Sequence, residues 1–140
     1  MTLQEKFRAV AIGRTGKGNY GHGLHLAYRE LDNVELTAVA DEDEEGRAKA
    51  QEETGAERAY ADYRKMLEAE RPDIVSVCPR WPDCHLEMVR ACLEAGAHVY
   101  CEKPMTWNLE EGDRIVDAAR RAGKKIAVAH QGGYLPREQQ

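Results

Sequence analysis

The sequence lacks an apolar run of the ~18 residues that a membrane-spanning helix needs, and Glu5, Lys6 and Arg8 interrupt any signal-peptide core. Its four cysteines, at positions 78, 84, 92 and 101, form no CxxC pair of the kind that holds zinc. We therefore predict a cytoplasmic protein with reduced structural thiols, no membrane partner and no metal site.

Positive charge is not in excess either, because 20 Lys and Arg residues stand against 25 Asp and Glu residues, for a formal net charge of −5. The basic residues are scattered along the chain, which excludes nucleic acid as a partner. Only 5 prolines occur and 42% of the residues are hydrophobic, which excludes a disordered tract. The 140 residues predict one globular domain, on the usual scale of about 100 to 200 residues.

Apolar runs of strand length alternate with stretches of helical periodicity along the chain. This alternation is typical of βαβ units and predicts an α/β fold with a parallel sheet. The predicted strands are residues 9–12, 35–40, 58–60, 74–78, 98–101 and 126–129. The predicted helices are residues 21–31, 44–54, 63–69, 83–95 and 109–122.

A glycine-rich turn follows the first predicted strand. Gly16, Gly18 and Gly21 form the pattern GxGxxG between a strand and a predicted helix, which is the usual setting of a dinucleotide site. Glycine in such a turn lets pyrophosphate approach backbone N–H groups at the start of the helix. We expect the rest of the turn to contact the cofactor as well, through Gly13, Thr15, Asn19 and Tyr20.

Asp41 ends the second predicted strand, twenty residues beyond Gly21, where a carboxylate can accept hydrogen bonds from ribose hydroxyls. A 2′-phosphate there would meet the negative charge of residues 41–43, which favours NAD over NADP. NADP stays open, because Arg14 and Lys17 in the turn can reach a phosphate. A methyltransferase site for S-adenosylmethionine uses a similar turn and acid, and it also stays open.

Two further motifs lie in the second half of the chain. Residues 73–85 combine a buried strand, a turn marked by Pro79 and the start of a helix that carries His85, and residues 102–104 are Glu-Lys-Pro. Together these motifs resemble the N-terminal domain of the Gfo/Idh/MocA family of nicotinamide-dependent oxidoreductases, over residues 8–136. The resemblance implies a three-layer, doubly wound Rossmann-type sheet of about six strands in the order 3-2-1-4-5-6. It divides the chain into a cofactor domain, 1–131, and the start of a crossover, 132–140.

The resemblance also implies roles for individual residues. Lys103 would be catalytic, lying beside the nicotinamide ring, assisting proton transfer and holding the developing alkoxide. Glu102 would orient Lys103, and the Lys103–Pro104 bond would be cis. Cys78 and Pro79 would lie along the cofactor, and His85 would be a positional residue near it and not a base.

The function implied is that of a cofactor-binding domain of an oxidoreductase acting on a hydroxyl of a sugar, cyclitol or polyol. In the family a second α/β domain supplies most substrate contacts, and it is absent from these residues, so we expect no turnover by this chain alone. Gly133 stands where the family usually has Arg, which weakens the expected substrate contacts of that segment. The alternative function is a nucleotide-binding sensor or partner subunit without chemistry. A homo-oligomer is compatible with either function.

Overall fold

The computed structural model describes residues 5–130, which form one parallel sheet with helices on both faces. The strands are β1 (Phe7–Ile12), β2 (Val34–Ala40), β3 (Arg58–Tyr60), β4 (Ile74–Val77), β5 (His98–Cys101) and β6 (Ile126–Val128). The α-helices are α1 (Glu44–Thr54), α2 (Tyr63–Glu70), α3 (His85–Glu94) and α4 (Leu109–Ala122). Short 3₁₀ helices cover Leu24–Leu26 and Pro82–Cys84. None of the helices in the described part of the chain has the length and apolar character that crossing a membrane requires.

The six strands are parallel and lie in the order β3-β2-β1-β4-β5-β6, which confirms the predicted topology. The chain builds outward from β1 to β3 and then returns to place β4 on the other side of β1. Ile12 at the end of β1 therefore pairs with Ala40 of β2 on one side and Val77 of β4 on the other. The turns that follow β1, β2 and β4 meet at this point, where open α/β sheets bind their ligands.

Alternating side chains of the strands separate two cores. Residues such as Ile12 and Val77 pack with α2, α3 and α4 on one face, in a core that includes Met66, Val89 and Ile115. Ala11 and Val39 point to the other face and pack with Leu24 and with Ala50 of α1. Because a strand presents successive side chains to opposite faces, both layers hold the sheet and fix the loops at its carboxyl edge.

The predicted helix over residues 21–31 is wrong. The structure has turns there, with only the short 3₁₀ helix Leu24–Leu26. Gly21 and Gly23 have φ angles of 59° and 80°, which belong to left-handed backbone and interrupt a right-handed helix at its start. The predicted helix over 83–95 begins later than expected, at His85, after the 3₁₀ turn that opens with Pro82. The helices predicted over 44–54 and 109–122 are confirmed.

Candidate functional site

The glycine-rich turn crosses the carboxyl ends of β1, β2 and β4. Its two arms are joined by the Arg14 amide, which donates to the Asn19 carbonyl at 3.1 Å. The Asn19 side chain accepts a hydrogen bond from the Gly16 amide at 2.8 Å. The turn is therefore a defined structure of its own and does not lead directly into a helix, so the expected pyrophosphate site at a helix N-terminus is not formed in that way.

Two glycines of the motif are needed for contacts within the chain. A Cβ atom on Gly18 would lie 2.4 Å from the Arg80 amide nitrogen, and one on Gly21 would lie 2.1 Å from Glu102 Oε2. The Gly18 carbonyl accepts a hydrogen bond from the same Arg80 amide at 3.2 Å. The turn thus packs directly on the loops that follow β4 and β5, and this packing requires residues without side chains.

Asp41 lies at the end of β2, as predicted, but its carboxylate is covered. Only 2% of the residue is exposed. Oδ2 accepts a hydrogen bond from Thr15 Oγ1 at 2.6 Å, and the Thr15 amide lies 3.2 Å from both carboxylate oxygens. The Asp43 amide donates to Oδ1 at 3.1 Å. Donors of the chain itself therefore already contact the carboxylate that is predicted to accept hydrogen bonds from a ribose.

A narrow cavity of about 30 Å³ lies between the ends of β1 and β2, beside Asp41. It is about the volume of one water molecule in the liquid. Arg14 contributes to its wall, and the Arg14 guanidinium forms an ion pair with Asp83 at 3.1 Å. The lining residues are Ile12, Gly13, Arg14, Ala40, Asp41, Glu42, Ala61, Tyr63 and Met88.

The Tyr20 ring packs against Gly13 of the glycine-rich turn. A Cβ atom on Gly13 would lie 2.1 Å from the Tyr20 ring, and the ring centroid lies 4.6 Å from that of His25. The Tyr20 hydroxyl is buried close to Asp41. Burial, together with the negative charge of Asp41, raises the pKa of Tyr20. His25 in turn contacts Glu53 at 3.0 Å, and this hydrogen bond lowers the pKa of the Glu53 carboxyl.

The Glu102-Lys103-Pro104 segment combines a buried carboxylate with an exposed lysine. The Lys103–Pro104 peptide bond is cis, as the resemblance implied. Glu102 is fully buried, and its carboxylate accepts hydrogen bonds from the His22 amide at 2.7 Å and the Lys103 amide at 3.0 Å. His22 Nδ1 also lies 3.0 Å from Glu102 Oε1. Glu102 therefore holds Lys103 by its backbone amide. It also joins the segment of residues 102–104, called here the lysine loop, to the glycine turn.

His85 is fully buried and joins the loops that follow β4 and β5. Its Nε2 lies 2.6 Å from the Pro79 carbonyl oxygen, and its Nδ1 lies 3.0 Å from the carbonyl oxygens of Pro104 and Met105. Through these contacts His85 holds the loops that follow β4 and β5 in position. Cys78 is also fully buried, and burial raises the pKa of its thiol well above the ordinary range, so the thiol is not a reactive group.

His22 is the site residue that the sequence reasoning missed. It contacts Glu102 across 80 positions of sequence, and no local pattern points to that contact. The only signal is its place directly after the last glycine of the motif. The Arg14–Asp83 ion pair was missed for the same reason, because its partners are 69 positions apart.

A doubly wound parallel sheet, a glycine-rich turn at the point where the strand order reverses and an acidic residue at the end of β2 define a Rossmann-type dinucleotide-binding domain. The family model described as "Oxidoreductase family, NAD-binding Rossmann fold" matches residues 7–130. The chain belongs to this family, the Gfo/Idh/MocA oxidoreductases.

Several known proteins are similar to this chain. Myo-inositol 2-dehydrogenase of Thermotoga maritima is 35% identical over 115 residues, which cover 81% of this chain and 34% of the relative. D-glucoside 3-dehydrogenase of Escherichia coli is 37% identical over 120 residues, covering 84% of this chain and 34% of the relative. The WlbA dehydrogenase of Bordetella pertussis, solved with NADH and UDP-GlcNAcA, superposes with a TM-score of 0.80 at 26% identity, covering 94% of this chain and 37% of that one. The chain thus spans about a third of the length of these relatives.

Proposed function

We propose that this chain is the cofactor-binding part of an NAD-dependent dehydrogenase that acts on a hydroxyl group of a sugar, a cyclitol or a related polyol. The observation that carries the proposal is the buried Glu102 carboxylate, which joins the glycine turn at His22 to the backbone of Lys103. This contact joins the glycine turn to the Lys103 backbone, which supports a joint role of the two segments. The substrate class is supported by the relatives, which include inositol and glucoside dehydrogenases.

The residues at the carboxyl edge fit a dinucleotide. Asp41 ends β2 beside a cavity bordered by the first residues of the glycine turn, where a carboxylate can receive ribose hydroxyls once its present donors move. The acidic run of Asp41, Glu42 and Asp43 favours NAD over NADP, because a 2′-phosphate would be repelled. We assign the remaining cofactor contacts to exposed or half-buried residues of the turn and of the segment after β5, Gly16, Gly18, Asn19, Gly21 and Lys103. Gly13, Cys78, Pro79 and Glu102 are buried, so we expect them to shape the site from within the protein.

When bound, nicotinamide supplies the hydride acceptor or donor. Lys103 is exposed, so its amino group can move a proton at the substrate hydroxyl and stabilise the negative charge that develops on that oxygen. Glu102 and His85 position the lysine loop from within the protein, while Tyr20 supports the turn. The substrate itself requires a further domain, so turnover is assigned to a protein that includes one.

Three further predictions belong to this proposal. The division into a cofactor domain, 1–131, and a crossover, 132–140, has its boundary outside the described residues. A cytoplasmic location is supported by the four cysteines, which are buried and unpaired. Self-association of the chain is also predicted, and sedimentation at several concentrations would test it.

Titration of the 140-residue chain with NADH and, separately, with NADPH tests the cofactor assignment. Trp81 and Trp107 are 51% and 64% exposed, so quenching of their fluorescence reports binding near the loops that carry them. We expect saturable binding with NADH preferred, and loss of that preference in Asp41→Ala. A folded chain that saturates with neither nucleotide would contradict the proposal.

A further inference from the structure

The Thr15 hydroxyl donates a hydrogen bond to Asp41 Oδ2 at 2.6 Å. We infer that Thr15 is a specificity-determining residue, which competes with NAD for the Asp41 carboxylate and does not compete with NADP. The inference rests on the proposed cofactor site and concerns how that site chooses its ligand.

The contacts leave little of the carboxylate available. Thr15 Oγ1 donates to Oδ2 at 2.6 Å, the Thr15 amide lies 3.2 Å from both oxygens, and the Asp43 amide donates to Oδ1 at 3.1 Å. A carboxylate has about four lone-pair positions, so three donors nearly fill it. Thr15 is exposed, whereas Asp41 is only 2% exposed.

The first turn of α1 holds Thr15 in this place. A Cβ atom on Gly46 would lie 1.8 Å from Thr15 Oγ1 and 3.0 Å from Asp41 Oδ2, so the helix leaves room for the hydroxyl only because residue 46 is glycine. The Gly46 amide is itself fixed by the Asp43 side chain at 2.7 Å. On the other side, the Arg47 guanidinium donates to the Asp41 carbonyl at 2.9 Å and holds the end of β2. The hydroxyl, the carboxylate and the helix start therefore form one packed unit.

This unit should affect the binding of NAD and of NADP differently. The ribose 2′-hydroxyl of NAD is a donor and can replace the Thr15 hydroxyl on Oδ2, so NAD binds only at the cost of that contact. The 2′-phosphate of NADP is an anion without a comparable donor and is repelled by Asp41. Removal of the Thr15 hydroxyl should therefore strengthen NAD binding and leave NADP binding unchanged.

The test compares Thr15→Ala, which removes the hydroxyl and leaves its position beside Oδ2 empty, with Thr15→Ser, which keeps a hydroxyl. Both variants of the 140-residue chain are titrated with NADH and NADPH by tryptophan quenching. We expect NADH to bind about tenfold more tightly to Thr15→Ala than to the wild type, the effect of one hydrogen bond to a charged group. NADPH affinity should not change, and Thr15→Ser should match the wild type. Without nucleotide, Thr15→Ala should unfold at a lower temperature, because Oδ2 loses its shortest contact.

Thr15→Gly gives a second variant, since it also removes the hydroxyl and leaves the position beside Oδ2 empty. It should also increase NADH affinity relative to NADPH, and it serves as the test if Thr15→Ala does not fold. Equal changes for the two nucleotides, or an unchanged or weaker NADH affinity in these variants, would refute the competition. Failure of the wild type to bind NADH would instead refute the proposed function, so the two failures are distinct.

Discussion

The two halves of the site differ in what they expose. On the side of β1 and β2, the group expected to recognise the cofactor, Asp41, is covered by Thr15. On the side of β4 and β5, the group expected to act on the substrate, Lys103, is exposed, while the residues that hold its loop, Glu102 and His85, are fully buried. Asp41 is thus already contacted by donors of the chain, whereas Lys103 is accessible on a buried support. A group proposed for binding can therefore be one whose partners are replaceable, whereas the loop of a group proposed for chemistry is held in place.

The largest effect should follow from removing the exposed group. In a dehydrogenase that includes this chain, we expect Lys103→Ala to lower kcat by about 10²- to 10⁴-fold, the usual contribution of a positioned acid or base, with little change in the Kd for NADH. Steady-state kinetics and tryptophan quenching measure the two quantities. Lys65→Ala, which removes an exposed lysine of α2, is the control and should change neither. A parallel loss of NADH binding would show that Lys103 acts in cofactor recognition, and this outcome would contradict its assignment to the chemical step.

A smaller effect should follow from separating the two halves. Gly21 has a φ angle of 59° and a Cβ there would lie 2.1 Å from Glu102 Oε2, so Gly21→Ala adds a clash to an unfavourable backbone conformation. We expect the free energy of unfolding to fall by about 3 kcal/mol.

The matched control is Gly123→Ala, because Gly123 has a similar φ of 63° and open space around it. Gly123→Ala should lower the free energy of unfolding by about 1 kcal/mol, which is the backbone effect alone. Denaturation with urea measures both values, and equal losses would mean that the contact between the halves adds nothing to stability.

The smallest effect concerns the outer edge of the cofactor half. Glu70 of α2 accepts hydrogen bonds from Arg58 at 3.0 Å, Tyr60 at 2.8 Å and Thr37 at 3.1 Å, and the Arg58 contact above all lowers the pKa of Glu70 below its ordinary 4.5. A carboxyl with a lowered folded-state pKa stabilises the fold above its unfolded pKa and loses this contribution as the pH falls through the folded value.

Glu70→Gln should therefore lower the free energy of unfolding by about 1–2 kcal/mol at pH 7, and the difference should shrink at an acidic pH below the folded-state pKa of Glu70. Urea denaturation at both pH values measures it, with Glu68→Gln on the exposed side of the same helix as the control. A difference that persists unchanged at the acidic pH would assign the effect to side-chain packing.

The sequence predicts the architecture well because the relevant signals are local. The alternation of apolar strands and helical stretches gave all six strands, and two of them, Arg58–Tyr60 and His98–Cys101, have the predicted bounds. The strand order and the cis Lys103–Pro104 bond followed from the motifs of the second half through the family resemblance.

The contacts within the site were not predictable in this way. Apolar spacing favours a helix over residues 21–31, but it does not reveal that Gly21 and Gly23 adopt left-handed backbone. The covering of Asp41 by Thr15 spans 26 positions and the His22–Glu102 contact spans 80, so neither follows from any local pattern. The chain's sequence thus locates the candidate residues, while their present partners depend on tertiary packing.

The His22–Glu102 contact also bears on the order of folding. It closes a chain segment of 80 residues, and it requires β4 paired with β1 and β5 paired with β4. Contacts of high sequence separation carry a larger loop-closure cost than short-range contacts, so we expect them to form after the local βαβ units. We therefore expect the junction between the glycine turn and the lysine loop to assemble late, and nucleotide binding during refolding to report the completed molecule and not its early units.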